Sequence, residues 1–258
     1  MKTVALALAT VLLAAAPQDD VEAKKKRLGE IFSQSLKLQK EAEALMQELS
    51  GGNRAKQEAI MTEIMEKYAP PEMTAQFNRA QGMANERNAS ATLKSIATAE
   101  ADFRANDRDW NKANDFWVAD VSGLWRIVAN DGPIKLIEMA VAAADARPAV
   151  AVDATGALPA DAKTQLQLVG KPTAKAGYSF AAIDKYQDEA GAVQKYDEGK
   201  GRNPSRFGFC AYPAEPGPKG TMTFVITENN ILYRKDTGGK RVEQWTNNPQ
   251  KDGWQRVD

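Results

Sequence analysis

Arg206-Phe207-Gly208-Phe209-Cys210-Ala211-Tyr212-Pro213 runs through a Pro/Gly break into Thr221-Met222-Thr223-Phe224-Val225-Ile226-Thr227. After Glu228-Asn229-Asn230 the chain resumes as Ile231-Leu232-Tyr233-Arg234-Lys235-Asp236, and Gly253-Trp254-Gln255-Arg256-Val257-Asp258 closes it. Runs of β-branched and aromatic residues bounded by Gly, Pro and Asn read as strands. Asn229-Asn230 suits the positive-φ positions of a tight hairpin turn. These stretches predict an antiparallel meander. They describe a kind of module and name no reaction.

Working back from the meander, Gly177-Tyr178-Ser179-Phe180-Ala181-Ala182-Ile183 reads as one more strand, with Tyr178 and Phe180 on one face. Residues 184–204 are charged and contain Gly, and read as an exposed insertion. Residues 148–176 are rich in Ala, Pro, Gly and Thr and read as an irregular connector. Asp131-Gly132-Pro133 reads as the opening of a helix over 134–146, with Pro in its first turn. Ala89, Leu93, Ile96, Ala97 and Phe103 form the apolar stripe of a helix from about 83 to 103, and the meander needs it as a cover.

Upstream, Leu28, Ile31, Phe32, Ala42, Leu45, Met46 and Leu49 fall at helical spacing. Ser50-Gly51-Gly52-Asn53 stops that helix. A second helix carries Ile60, Met61, Ile64 and Met65, and Pro70-Pro71 ends it. Residues 72–82 read as a short bridge broken near Gly82. The two helices make a hairpin whose apolar face must bury against the rest of the chain or another protein. No heptad run is long enough to define an oligomer.

Composition narrows the chemistry. The 258 residues contain 34 Lys+Arg against 34 Asp+Glu, so no global field argues for nucleic acid. Histidine is absent, which removes the commonest general base and zinc ligand and every Ser-His or Cys-His nucleophile pair. Many hydrolase classes are excluded on that ground, while Glu, Asp, Lys and Tyr chemistry stays open. The single cysteine, Cys210, has no internal disulfide partner and reads as a small buried hydrophobe.

Residues 1–16 read as an export signal: Lys2, an apolar run from Val4 to Leu13, then Ala14-Ala15-Ala16. Its removal leaves no stable transmembrane anchor, so the mature chain is expected in the periplasm or secreted.

The candidate metal ligands are Asp107, Asp109, Asn111 and Asp115. Alternating Asp/Asn in a short turning segment supplies the oxygens calcium needs. The bend lacks its Gly, with Lys112 there instead, and the closing Glu is replaced by Val118. A capped, solvated turn explains the same residues. Nearby Trp110, Phe116, Trp117 and Trp125 read as core, with a ligand platform as the alternative. Lys200, Arg202 and Arg206 make a basic patch without a phosphate-loop pattern. No carboxylate pair, such as Asp184 with Asp188 or Glu189 with Glu198, is spaced around a common substrate.

Two segments carry a resemblance. Asn88-Ala89-Ser90-Ala91-Thr92-Leu93-Lys94-Ser95-Ile96-Ala97 through Phe103 resembles the amphipathic helix of type IV pilins and pseudopilins. Phe209-Cys210-Ala211-Tyr212-Pro213-Ala214-Glu215-Pro216 and Ile226 through Asp236, with Gly253-Trp254, resemble the tail of an exported bacterial family of unknown function. The resemblance covers about residues 84–258 and carries over no catalytic residue. In pilins the apolar N-terminal segment continues into the long helix, whereas here a helical hairpin intervenes.

The expected fold is α+β, with a long helix packed on an antiparallel sheet in the pilin-like manner, preceded by a helical hairpin. The expected domains are 1–16 signal peptide, 17–82 hairpin and linker, and 83–258 pilin-like α+β. The expected function is a non-enzymatic cell-envelope structural or interaction module that meets an envelope protein through the 28–65 hairpin. The alternative is a periplasmic ligand- or calcium-binding module using the 107–125 segment. Calcium aside, no cofactor is expected.

Overall fold

A computed structural model describes residues 18–129, 132–148 and 171–257. The signal segment and most of the 148–176 connector lie outside them. The chain divides into two compact units, Met1–Thr74 and Ala75–Asp258. The class is α+β: long helices followed by antiparallel sheets.

In the first unit, α1 (Gln18–Ser50) and α2 (Arg54–Lys67) are joined through Gly51-Gly52-Asn53. Gly51 and Gly52 have φ of 59° and 76°, a conformation that disfavours a Cβ. Asn53 caps α2, its side chain accepting from Lys56 N at 3.1 Å. Among the described residues of this unit Ser50 alone is buried. Ile31, Leu38 and Leu49 are 57%, 58% and 64% exposed.

Helix α3 spans Pro71–Ala105 without interruption. Pro71 sits at its first position, where no N–H is missed. Gly82 therefore breaks nothing, contrary to expectation. It is buried, and a Cβ there would lie 2.6 Å from the Pro218 carbonyl oxygen. Glycine serves here as a contact point between helix and loop. Next to it, Asn85 Nδ2 donates to Lys219 O at 2.8 Å, and Glu86 Oε1 accepts from Thr221 N at 3.2 Å.

The second unit is built on a five-stranded sheet in the order β12-β10-β9-β8-β4: Gln255–Arg256, Leu232–Asp236, Met222–Thr227, Gly208–Pro213 and Tyr178–Ala182. All its pairings are antiparallel, as the meander predicts. At the β9–β10 turn Asn230 N donates to Thr227 O, and Asn230 alone of the Asn pair takes positive φ, 56°.

The register Phe180↔Ala211↔Phe224 and Ala182↔Phe209↔Ile226 puts one aromatic and aliphatic set on one face. Helix α3 lies on that side. Glu86 reaches the start of β9, Lys94 Nζ donates to Asn230 O beyond its end, and Arg104 stands over Phe116, which packs on Phe207 and through it on Phe209. On the other face Cys210 Sγ meets Val242 O at 3.8 Å, and Tyr233 packs on Trp245 and Trp245 on Trp254. Central strand β9 is thus buried on both faces from Thr223 to Thr227.

Two further expectations change. In place of a helix opening at Gly132-Pro133, β2 (Val128–Ala129) pairs antiparallel with β3 (Gly132–Pro133). The chain then pairs back, Ile134 N on Ile127 O and Leu136 N on Leu124 O. Only Met139–Ala143 is helical (α5), because these backbone groups are already engaged with the preceding α4 (Gly123–Arg126) region. Residues 184–204 hold β5 (Lys185–Gln187), β6 (Val193–Lys195) and β7 (Arg202–Asn203). β5 and β6 make a second sheet with β11 (Gln244–Trp245), and β7 pairs with β1 (Phe116–Trp117). Tyr196 and Asn203 are buried anchors inside this charged stretch. No helix among the described residues is long and apolar enough to cross a membrane.

Candidate functional site

The 107–125 segment leaves α3, turns sharply and enters β1. Asp107, Trp110 and Lys112 take positive φ, from 43° to 67°. Lys112 N donates to Asp107 Oδ2 at 3.1 Å, and Ala113 N to Asn111 Oδ1 at 2.7 Å. Asn111 Nδ2 donates to Asp109 Oδ2 at 3.0 Å and to Asp115 Oδ2 at 3.1 Å. Three of the four candidate metal ligands therefore meet, and Asp107 is tied into the same turn. Arg202 brings a protein cation to them. Its Nε donates to Asp109 Oδ2 at 2.8 Å and lies 3.7 Å from Asp115 Oδ1. The guanidinium is 4.1 Å from the Trp117 ring centroid and 5.4 Å from that of Phe103. Among the described residues no group of three or more His, Cys, Asp or Glu is arranged to hold a metal. Two buried oxygens, Asp107 Oδ1 and Asp109 Oδ1, have no partner.

Beneath this loop lies a row of buried carboxylates. Glu100 Oε2 accepts from Trp117 N at 2.9 Å, while Oε1 is buried without a partner. Burial raises the Glu100 pKa well above the usual range, and the charges of Asp115 and Asp120 add to the effect. Asp120 accepts from Trp117 Nε1 at 2.8 Å, Gly123 N at 2.7 Å and Ser122 Oγ at 2.9 Å, and pairs with Arg126. A Cβ at Gly123 would stand 2.1 Å from Trp117 Nε1, so this packing requires glycine. Asp145 Oδ2 accepts from Val121 N and Ser122 N, both at 2.8 Å, and Oδ1 from Arg147 N at 2.9 Å. Burial, with the neighbouring Asp120 charge, lifts the Asp145 pKa to about 6.

Phe116, Trp117 and Trp125 are core, whereas Trp110 is 66% exposed. The basic patch disperses: Arg202 enters the acidic loop, and Arg206 pairs with Glu228 at 3.3 Å over the Tyr186 ring. Asp184 and Asp188, which the sequence does not space around a common substrate, each serve a contact of their own. Asp184 is held below the usual carboxylate range, burial opposing the stronger pull of Arg241 and Arg147. Asp188 closes its own turn through Ala190 N and Ala192 N.

Open concave space lies elsewhere. A cavity of about 370 Å³ is bounded by Tyr186, Tyr196, Arg206, Glu228, Tyr233, Trp245 and the 246–249 segment. A second, of about 560 Å³, runs between α3 and the 114–116 and 228–230 segments. Glu228 lines both. Its Oε2 takes no hydrogen bond from another side chain, and burial raises its pKa. Sequence inspection passes over Glu228, which reads as an ordinary turn acid, and over the three tyrosines, which lie apart in the chain: Tyr186 in β5, Tyr196 just after β6 and Tyr233 in β10.

Fold and site together define an α+β protein in which a long helix covers an antiparallel sheet and buried carboxylates tie the crossing segments to that core. The chain belongs to the family described as protein of unknown function (DUF2950), matched over residues 72–257. No curated protein and no solved structure matches it.

Proposed function

We propose that the chain is an exported, non-enzymatic module of the cell envelope that acts by protein interaction through its 28–65 hairpin. The observation that carries this is the hairpin's exposed apolar face. Ile31, Leu38 and Leu45 recur every seven residues along α1, and each is more than half exposed. Leu28, Ala42 and Leu49 interleave at the three- and four-residue steps of a helical seam. A hairpin of this length with no buried apolar side chain holds its helices only marginally by itself. A large exposed apolar face of this kind marks an interaction site, and its period fits a helical partner. The apolar run at 4–13 supports export. The sealed positions of Glu100, Asp120 and Asp145, bonded to backbone N–H groups, suit scaffolding better than turnover.

The test is site-specific photocrosslinking in cells from position 38, with position 30 as control. A discrete adduct from 38, lost in Ile31→Lys with Leu45→Lys, is expected. Equal yields from 38 and 30 would overturn the proposal.

One observation favours calcium at the 107–115 loop as a second function: the two partnerless buried oxygens of Asp107 and Asp109, which Arg202 leaves free. Titration to millimolar calcium should then raise the melting temperature, and less so in Asp107→Asn. An unchanged melting temperature removes it.

A further inference from the structure

We propose that the cavity between β5, the β9–β10 turn and the 245–249 segment binds a neutral saccharide unit. The size suits one or two sugar rings: about 370 Å³, near the small end of ligand sites. Its walls come from separate sheet elements and are braced. Tyr186 packs on Tyr196 with ring centroids 4.8 Å apart, and Tyr233 on Trp245 at 5.3 Å. Asn247 Nδ2 donates to Asp188 O at 3.0 Å, and Asn247 N to Gln187 Oε1 at 3.4 Å. The site is therefore preformed.

The lining selects the ligand class. Arg206 and Glu228 face one another at 3.3 Å, so the one cation and the most buried carboxylate neutralise each other. A phosphate or carboxylate ligand would have to break that pair and would meet Glu228 and Glu189. An apolar ligand would strand the polar groups that line most of the wall. Glu189 is exposed to solvent, so the enclosed part of the lining, with Arg206 paired to Glu228, carries no net charge and suits a ligand with donors and acceptors in similar number. Glu228 lines the cavity with its side chain 16% exposed, and its Oε2 takes no hydrogen bond from another side chain. Gln187 has its amide N–H₂ left over and Asn247 its carbonyl, because their other ends bond each other's segments. Tyrosine hydroxyls serve as donor or acceptor. A sugar hydroxyl does the same, and the C–H bonds of a sugar ring suit the π-systems of the aromatic rings that line the cavity.

The inference stands apart from the hairpin and survives its failure. The test is two-dimensional NMR of the full mature chain, following the tryptophan indole N–H resonances. Chitotriose, cellotriose and maltotriose are the probes, with inorganic phosphate and citrate as charged controls. At least one sugar should shift the Trp245 resonance saturably at millimolar concentration or below, leaving Trp117 and Trp125 in place. Glu228→Ala should weaken that binding tenfold or more and Glu228→Gln should restore most of it, each with an unchanged fold by the same spectrum. If Glu228→Ala fails to fold, Asn247→Ala, at an exposed position, takes its place with the same expectation. No shift with any sugar at 10-fold higher concentration, a shift centred on Trp110 or Trp125, or stronger binding of the charged controls would each overturn the proposal.

Discussion

Arg202 and Asp109 are joined by a 2.8 Å hydrogen bond that fastens the loop after α3 to strand β7. The Asp109 side chain is only 7% exposed, and Arg202 is stacked on Trp117. Removing one partner of a buried ion pair leaves an uncompensated charge, a loss of about 3 kcal/mol. Arg202→Met should therefore destabilise the protein by about that much in urea denaturation. Asp109→Asn in the same chain should recover part of the loss, because the two sites share one contact. Additive losses would show that the pair does not couple loop to sheet.

Gly82→Ala should also destabilise, although alanine is the better helix former by about 1 kcal/mol. The new methyl group would lie 2.6 Å from the Pro218 carbonyl, a backbone atom that cannot swing aside. Overpacking of this sort costs about 1–3 kcal/mol, so the net loss should be about 1 kcal/mol. A melting temperature lower by about 3 °C is expected. A higher one would mean that α3 and the 217–220 loop are not in contact in solution.

Gly82 also shows where sequence inspection succeeds and where it stops. The strands of the meander and the stripe Ala89, Leu93, Ile96 and Phe103 are legible because their periods match the faces they bury. Gly82 reads as a break, since nothing local reveals that Pro218 packs on it. Ile134 to Ala146 reads as one helix by composition, but the backbone of Ile134 and Leu136 bonds to residues 124–127. At the candidate site, the acidic turn and the core tryptophans are visible in the sequence. Arg202, 93 residues after Asp109, and the convergence of Tyr186, Arg206, Glu228 and Asn247 are long-range matters with no local signature.

Cys210 offers a probe of the sheet. It is fully buried, and that burial pushes its thiol pKa to about 12. The thiolate is the reactive species, so the native protein should resist a thiol-specific reagent at pH 8. Modification should follow global opening, and its rate should rise in parallel with Arg202→Met destabilisation. Rapid stoichiometric labelling of the native protein would show that the face toward Val242 is open.

The buried carboxylates give stability an unusual pH dependence. An unfolded Asp titrates near 3.8, whereas Asp145 in the fold titrates at about 6. Between these values the folded state binds the extra proton, so stability falls as pH rises through that window. Glu100, also raised, acts in the same direction. The shift on Asp145 corresponds to about 3 kcal/mol at most. Asp102, Asp184 and Asp188 are lowered, so their contribution is present above the ordinary carboxylate range and lost as pH falls below it. The two trends meet near the ordinary carboxylate value, so maximum stability is expected at about pH 4. Urea denaturation from about pH 3 to 8 should show the decline between about 4 and 6, with a shallower slope in Asp145→Asn. That variant keeps an acceptor for Val121 N and Ser122 N but not for Arg147 N, so it should lose some stability at every pH. Stability that rises steadily from about pH 4 to 6 would mean that Asp145 is ionised throughout, its three N–H donors outweighing its burial.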